Sequence, residues 1–198
     1  MEIKNIIFDF GGVLIDWNPQ YLYGDIFQDN EELDFFLNNV CNSQWNLKQD
    51  AGRSFAEAIK ELTAKFPQYE NEIRMYHSSW ITMIGGEIKE NTSLIKKLKS
   101  NYRLFGLTNW SAETFPLVYN QYPFFKELEG IVVSGEEKVI KPNNQIYELL
   151  LDRYKLKACE SLFIDDNRDN IATAKRLGFQ TIWLCEGVDL NEELRILI

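Results

Sequence analysis

Five short, largely apolar runs limit what this chain can fold into: Ile6-Ile7-Phe8, Leu104-Phe105-Gly106-Leu107, Ile131-Val132-Val133, Leu162-Phe163-Ile164 and Thr181-Ile182-Trp183-Leu184. None alternates between apolar and polar residues, which is the pattern of strands buried on both faces. Helical patterns separate the later runs. One carries Leu94, Ile95 and Leu98; a second covers 143–154, with Pro142 expected in its first turn; a third covers 168–177 and is closed by Gly178 in the C′ position. Strands that alternate with helices and bury both faces call for an α/β fold built on a parallel sheet. A short terminal helix is expected over 190–198.

After the first run, helical spacing takes over for about seventy residues. Leu33, Phe36, Leu37 and Val40 fall on one helical face. Ser54 and Glu57 make a capping-box signature, and Phe55, Ala58, Ile59, Leu62 and Phe66 then line one face until Pro67, which is expected to end the helix. A third stripe, Ile73, Tyr76, His77, Trp80 and Ile81, stops before Gly85-Gly86, and a shorter helical segment at 19–27 precedes all three. Four helices without an intervening strand read as a helical insertion. Gly85-Gly86 is its hinge candidate, because glycine absorbs backbone changes readily, and residues 16–19 form the other junction.

Composition narrows the partners. The chain has 198 residues, 45% of them hydrophobic, enough for a packed core. With 21 basic against 30 acidic residues, a net charge of -9 and no basic stripe, it is not expected to bind nucleic acid. Cys41, Cys159 and Cys185 are odd in number and lack metal or redox spacing, so reduced thiols in a cytoplasmic protein are expected. No cleavable leader and no apolar stretch near the roughly 20 residues of a membrane span are present, so no membrane partner is expected.

Right-handed crossovers bring the carboxyl ends of parallel strands to one edge, where open α/β sheets bind ligands. Here those ends carry Asp9, Thr108-Asn109, a loop reaching Lys141-Pro142, and Asp165-Asp166 with Asn170. The set suits phosphate and metal chemistry. An ionised Asp9 can attack phosphorus and form an aspartyl-phosphate. Because two anions repel, a hard dication held by Asp9, Asp165 and Asp166 is expected, and Mg²⁺ suits a site of few carboxylates completed by substrate oxygens and water. Thr108 and Asn109 can donate hydrogen bonds to phosphoryl oxygens, and Lys141 supplies a compact positive charge where negative charge accumulates.

Through Asp9-Phe-Gly-Gly-Val, Leu107-Thr-Asn, Lys141-Pro and Ile164-Asp-Asp-Asn-Arg-Asp-Asn, the chain resembles the haloacid dehalogenase (HAD) superfamily over nearly its whole length. The resemblance implies a Rossmann-like core of residues 1–16 and 87–198 with an inserted helical-bundle cap of residues 17–86. It implies Asp9 as nucleophile, phosphate contacts from Thr108 and Asn109, and a charge-stabilising Lys141. Mg²⁺ ligands are implied at Asp9, Asp165, Asp166 and the backbone carbonyl of Gly11, with Asn170 supporting the acidic loop and Lys141. The expected reaction is hydrolysis of a small phosphorylated metabolite, a sugar phosphate foremost, by a monomer or weak homodimer.

One departure from the family pattern stands out. Most phosphatases of the superfamily carry a second Asp two residues after the nucleophile, as acid toward the leaving group and base toward water, where this chain has Gly11. General acid–base catalysis typically contributes about 10²–10⁴-fold. A water, a group from the cap, or Asp16 would have to substitute. The chain is similar to a bacterial subgroup written Asp-x-Gly-(Asn/Gly)-Val, in which glucose-1-phosphate phosphatase activity is known, so the missing Asp does not exclude hydrolysis. Two alternatives remain. A metal-independent 2-haloacid dehalogenase is disfavoured because the paired acids would leave three carboxylates unscreened. A catalytically weak phosphate-binding regulatory module would follow from loss of the second Asp. His77, the only histidine, is expected to be structural, and Trp17, Trp45 and Trp110 are expected around the entrance between cap and core.

Overall fold

The computed structural model describes residues 2–197; Met1 and Ile198, at the ends of the expected core and terminal helix, lie outside the described residues. Seven strands follow along it: β1 (Asn5–Phe8), β2 (Ile15–Trp17), β3 (Ile84–Glu87), β4 (Arg103–Thr108), β5 (Gly130–Val133), β6 (Ser161–Asp165) and β7 (Gln180–Trp183). Five of them form one parallel sheet in the order β5-β4-β1-β6-β7. The strand that carries the first acid is therefore central. Its register sets Phe8 beside Gly106 of β4 and Ile164 of β6, which aligns the carboxyl ends of three strands.

Both faces of the sheet are covered, as the non-alternating runs require. Ile7, Phe105, Leu107, Val132 and Phe163 pack against Ile146, Tyr147 and Leu150 of the helix Asn144–Tyr154 and Ile171 and Ala174 of the helix Arg168–Arg176. Ile6, Phe8, Leu104 and Ile164 face the opposite side, in a core that continues without a break into Phe36, Phe55, Ile73, Tyr76 and Trp80 of the helical segment between β2 and β3.

That segment starts from the expected stripes and modifies them. The helix Asn30–Phe35 passes into a π-helical turn, Phe36–Val40, which buries Phe36 and Val40. In Phe55–Lys65 the Ser54 hydroxyl accepts the Glu57 amide at 3.2 Å, but the Glu57 carboxylate returns to that hydroxyl, not to the backbone. The third stripe breaks at Ser78, and a 3₁₀ turn, Trp80–Met83, buries Trp80 and leaves Ile81 exposed. Gly85-Gly86, the hinge candidate, lies inside β3, which pairs antiparallel with β2. The chain thus leaves and re-enters the sheet region through one short ribbon. Pro142 lies just before the helix cap and not in the first turn as expected: Asn143 caps the helix Asn144–Tyr154, its side chain accepting the Gln145 amide at 3.0 Å. Gly178, at φ 94, follows the helix Arg168–Arg176 as expected.

The three cysteines are free. Among the described residues no helix is long and apolar enough to cross a membrane.

Candidate active site

β1 ends at Phe8, and the next residue places Asp9 at the carboxyl edge of the sheet with 8% of its surface exposed. Its amide donates to the Ile164 carbonyl at 2.9 Å, continuing the ladder one step beyond the strand, while its Oδ1 accepts the Phe10 amide at 2.7 Å. Lys141 lies on the other side. Its Nζ meets Asp9 Oδ2 at 2.9 Å and Asp165 Oδ2 at 2.7 Å and donates to the Leu107 carbonyl at 2.8 Å. A lysine only 1% exposed is thus held by two carboxylates and the end of β4.

Asp165 ends β6 fully buried and its oxygens are occupied. Oδ1 accepts the Asn167 amide at 2.8 Å and Asn170 Nδ2 at 3.0 Å; Oδ2 accepts Lys141 and Asn170 Nδ2 at 3.1 Å. Asn170 reaches Lys141 only through this carboxylate. Asp166, the next residue, is exposed, and its carbonyl accepts the Trp183 indole N–H at 2.9 Å. Carboxylate oxygens of Asp9, Asp165 and Asp166 lie within 4.8 Å of one another. Burial raises the Asp9 carboxyl to about 7; Lys141 opposes this, and the charges of Asp165 and Asp166 add to it. Although the residue is exposed, partial desolvation of its carboxyl and the charge of Asp165 hold Asp166 above the usual range, against the pull of Lys141. Burial alone would lower Lys141, but Asp165 and Asp9 outweigh it and raise the ammonium. Three clustered acids against one lysine leave an excess of negative charge, and that is the donor set a hard dication fits.

Gly12 maintains this arrangement. At φ +71, any Cβ there would collide with the Asp166 carboxylate. Gly12→Ala is expected to cost about 1–3 kcal/mol, the range for a strained backbone position. Urea unfolding measures the cost.

Thr108 and Asn109 divide where the sequence treats them alike. Thr108, the last residue of β4, is buried, and its hydroxyl has no partner among the described residues. Such an orphan at a ligand-binding edge awaits an acceptor. The Asn109 side chain is already engaged: its Nδ2 donates to the Lys141 carbonyl at 2.9 Å and its Oδ1 accepts the Lys141 amide at 2.8 Å. It fixes the backbone of the lysine loop, beside the cis Lys141–Pro142 peptide.

A cavity of about 90 Å³ adjoins this edge, lined by Gly11 and Asn109 on one hand and by Trp17, Asn46, Asp50 and Trp80 on the other. Trp17 and Trp110 line it as expected. Trp45 does not: it packs edge-on against Tyr76, with ring centroids 4.9 Å apart, and Trp80 takes its place on the wall. His77 stacks on Phe55 at 4.5 Å and faces Glu113 at 3.5 Å. Glu113 also accepts the Phe55 amide at 2.8 Å, so it ties two helix ends to the loop after β4. Asp16 is drawn away: its Oδ2 accepts the Tyr21 hydroxyl at 2.7 Å, and it does not line the cavity. Asp50, on the same wall, belongs to no sequence motif. Burial raises its carboxyl to about 7, with the Ser111 amide acting in the opposite sense.

An open parallel sheet with a ligand cleft at its carboxyl edge defines a Rossmann-like α/β enzyme core. The profile of the haloacid dehalogenase-like hydrolase family matches residues 3–178, and the chain belongs to that family of hydrolases. It is 25% identical to a sesquiterpene phosphatase of Aspergillus oryzae, over 98% of this chain and 96% of that one. It is 23% identical to a D-ribitol-5-phosphate phosphatase of Bacteroides thetaiotaomicron, over 99% and 98%. Among solved structures, a HAD family enzyme from Bacteroides thetaiotaomicron in a magnesium complex matches with a TM-score of 0.78 at 22% identity, covering 98% of this chain and 100% of the other. An L-2-haloacid dehalogenase from Xanthobacter autotrophicus matches with a TM-score of 0.63 at 14% identity, covering 90% and 76%. At these identities the structural matches speak for the fold.

Proposed function

We propose that the chain is a Mg²⁺-dependent phosphatase of small phosphorylated metabolites, with sugar phosphates as the leading class. The observation that carries this reading is the juxtaposition of Asp9, a buried Lys141, two further acids and an orphan Thr108 hydroxyl at one sheet edge. Asp9 Oδ attacks phosphorus, with Lys141 and Thr108 binding the phosphoryl oxygens, and water then cleaves the aspartyl-phosphate. Asp9, Asp166 and the Gly11 carbonyl would hold Mg²⁺, with Asp165 alongside. When bound, the cation supplies positive charge that screens the phosphoryl group from the acids. Asn109 and Asn170 keep Lys141 and Asp165 in place.

Residues 17–86 serve as a cap over a core of 1–16 and 87–198, and opening and closing of the cap admits substrate and excludes bulk water. The cap supplies aromatic walls, which suit the carbon face of a sugar. Two relatives, named for a ribitol phosphate and for a sesquiterpene, frame the choice of leaving group. The test is a panel of sugar and alditol phosphates, a sesquiterpenyl phosphate and a 2-haloacid, each assayed with Mg²⁺ and with EDTA. Phosphate release from the sugar esters, lost by at least about 10²-fold in EDTA, is the expected result. Metal-independent halide release would overturn the reading in favour of a dehalogenase, and binding of phosphate without turnover of any ester would favour a regulatory module.

A further inference from the structure

We propose that Asp50 is the proton donor and acceptor that replaces the carboxylate missing at Gly11; the inference rests on the phosphatase reading above. Gly11 and Asp50 line the same cavity. A Cβ built on Gly11 meets nothing within 4 Å, so the space that a side chain at that position would occupy is open. Asp50 ends the helix Ser43–Asp50 and is anchored from two sides. Its Oδ2 accepts Asn46 Nδ2 at 3.1 Å, and its backbone carbonyl accepts the Ser134 hydroxyl at 2.6 Å. That hydroxyl also accepts the Trp110 amide at 2.9 Å, so the loop continuing from Thr108 and Asn109 locates Asp50 relative to the phosphate site.

The surroundings of Asp50 suit an acid that must be protonated before it acts. Phe55, Trp80 and Trp110 share its cavity, Tyr76 is its titratable neighbour, and its carboxyl is raised to about 7. General acids work best with a pKa near the operating pH. In the first step Asp9 forms a bond to phosphorus and the ester P–O bond breaks. Its electron pair stays on the leaving oxygen, which takes the proton from Asp50 to give the free alcohol. In the second step the Asp50 carboxylate takes a proton from the water that attacks phosphorus. The P–O bond to Asp9 breaks, inorganic phosphate leaves, and both carboxyl groups return to their starting states.

Asp50→Asn is isosteric and can keep the Asn46 contact, so the test compares esters that differ in their need for an acid. For an alkyl phosphate kcat/KM should fall by about 10²-fold or more, and for p-nitrophenyl phosphate, whose leaving group needs little protonation, by less than about tenfold. A merely structural Asp50 slows both alike, and an equal fall overturns the proposal. Should Asp50→Asn not fold, Asp50→Ser carries the same comparison. Gly11→Asp, added to Asp50→Asn, should restore the alkyl-to-aryl ratio by about tenfold; an unchanged ratio overturns the claim that both positions serve one leaving oxygen. If the wild type hydrolyses neither ester, or if Asp9→Asn retains activity, the phosphatase reading falls and the Asp50 role with it. If Asp9 is essential and Asp50→Asn slows both esters equally, only the Asp50 role falls.

Discussion

Asp9→Asn is expected to lower kcat/KM for every phosphomonoester by at least about 10³-fold, because the proposed mechanism makes Asp9 the attacking group and losing a covalent nucleophile is among the largest single effects known. The amide has the same shape and can still accept from Lys141, so the fold should survive. Stability should move the other way. The Asp9 carboxyl is raised from 3.8 to about 7, so the folded state resists its ionisation. A carboxyl raised on folding stabilises below its unfolded pKa, and that contribution is lost as pH rises through the folded value. The metal-free wild type should therefore lose stability relative to Asp9→Asn between about pH 4 and pH 7. Thermal unfolding in EDTA at about pH 8 should show the variant with the higher Tm, and the gap should close at about pH 4. Added Mg²⁺ should raise the wild-type Tm more than that of the variant.

Lys141→Met is the second large effect, on stability as well as rate. The ammonium is 1% exposed, lies 2.9 Å from Asp9 and 2.7 Å from Asp165, and donates to the Leu107 carbonyl. Methionine fills the volume but leaves the buried Asp165 carboxylate without its cation. Removing one partner of a buried pair typically costs about 3–5 kcal/mol. Urea unfolding in EDTA at about pH 8 should show a loss of that order. Protonation of Asp9 relieves part of it, so the deficit should be smaller at about pH 5. Turnover should fall at every pH, because the proposed mechanism sets this charge opposite the phosphoryl group.

The strand ends were readable because each needs only a local pattern: an apolar run followed by a polar residue. Asp9, Thr108, Asp165 and Asp166 therefore fell at the expected edge once the sheet was inferred, and Lys141 and Asn170 joined them from the loop after β5 and the helix after β6. What could not be read depends on contacts across the fold. Asn109 reads in sequence as a phosphate donor, and its hold on the lysine loop shows only once that loop closes on its side chain. The β2–β3 ribbon escaped because Ile-Gly-Gly-Glu has turn composition, and its partner strand precedes the whole helical segment. Trp80 falls on an apolar helical stripe that reads as core, and only the break at Ser78 brings it to the cavity. Asp50 ends a helix with no apolar stripe of note, and its importance comes from Ser134, Trp110 and the open face of Gly11.

The aromatic wall of the cavity also gives the protein an optical readout. Of its five tryptophans, Trp17, Trp80 and Trp110 border a space of about 90 Å³, and the indole N–H groups of Trp17 and Trp110 are buried without a partner among the described residues. A ligand entering that space must change the polarity around several indoles at once. Intrinsic fluorescence can therefore follow occupancy and release in unlabelled protein, independently of turnover, including in variants that bind but no longer react.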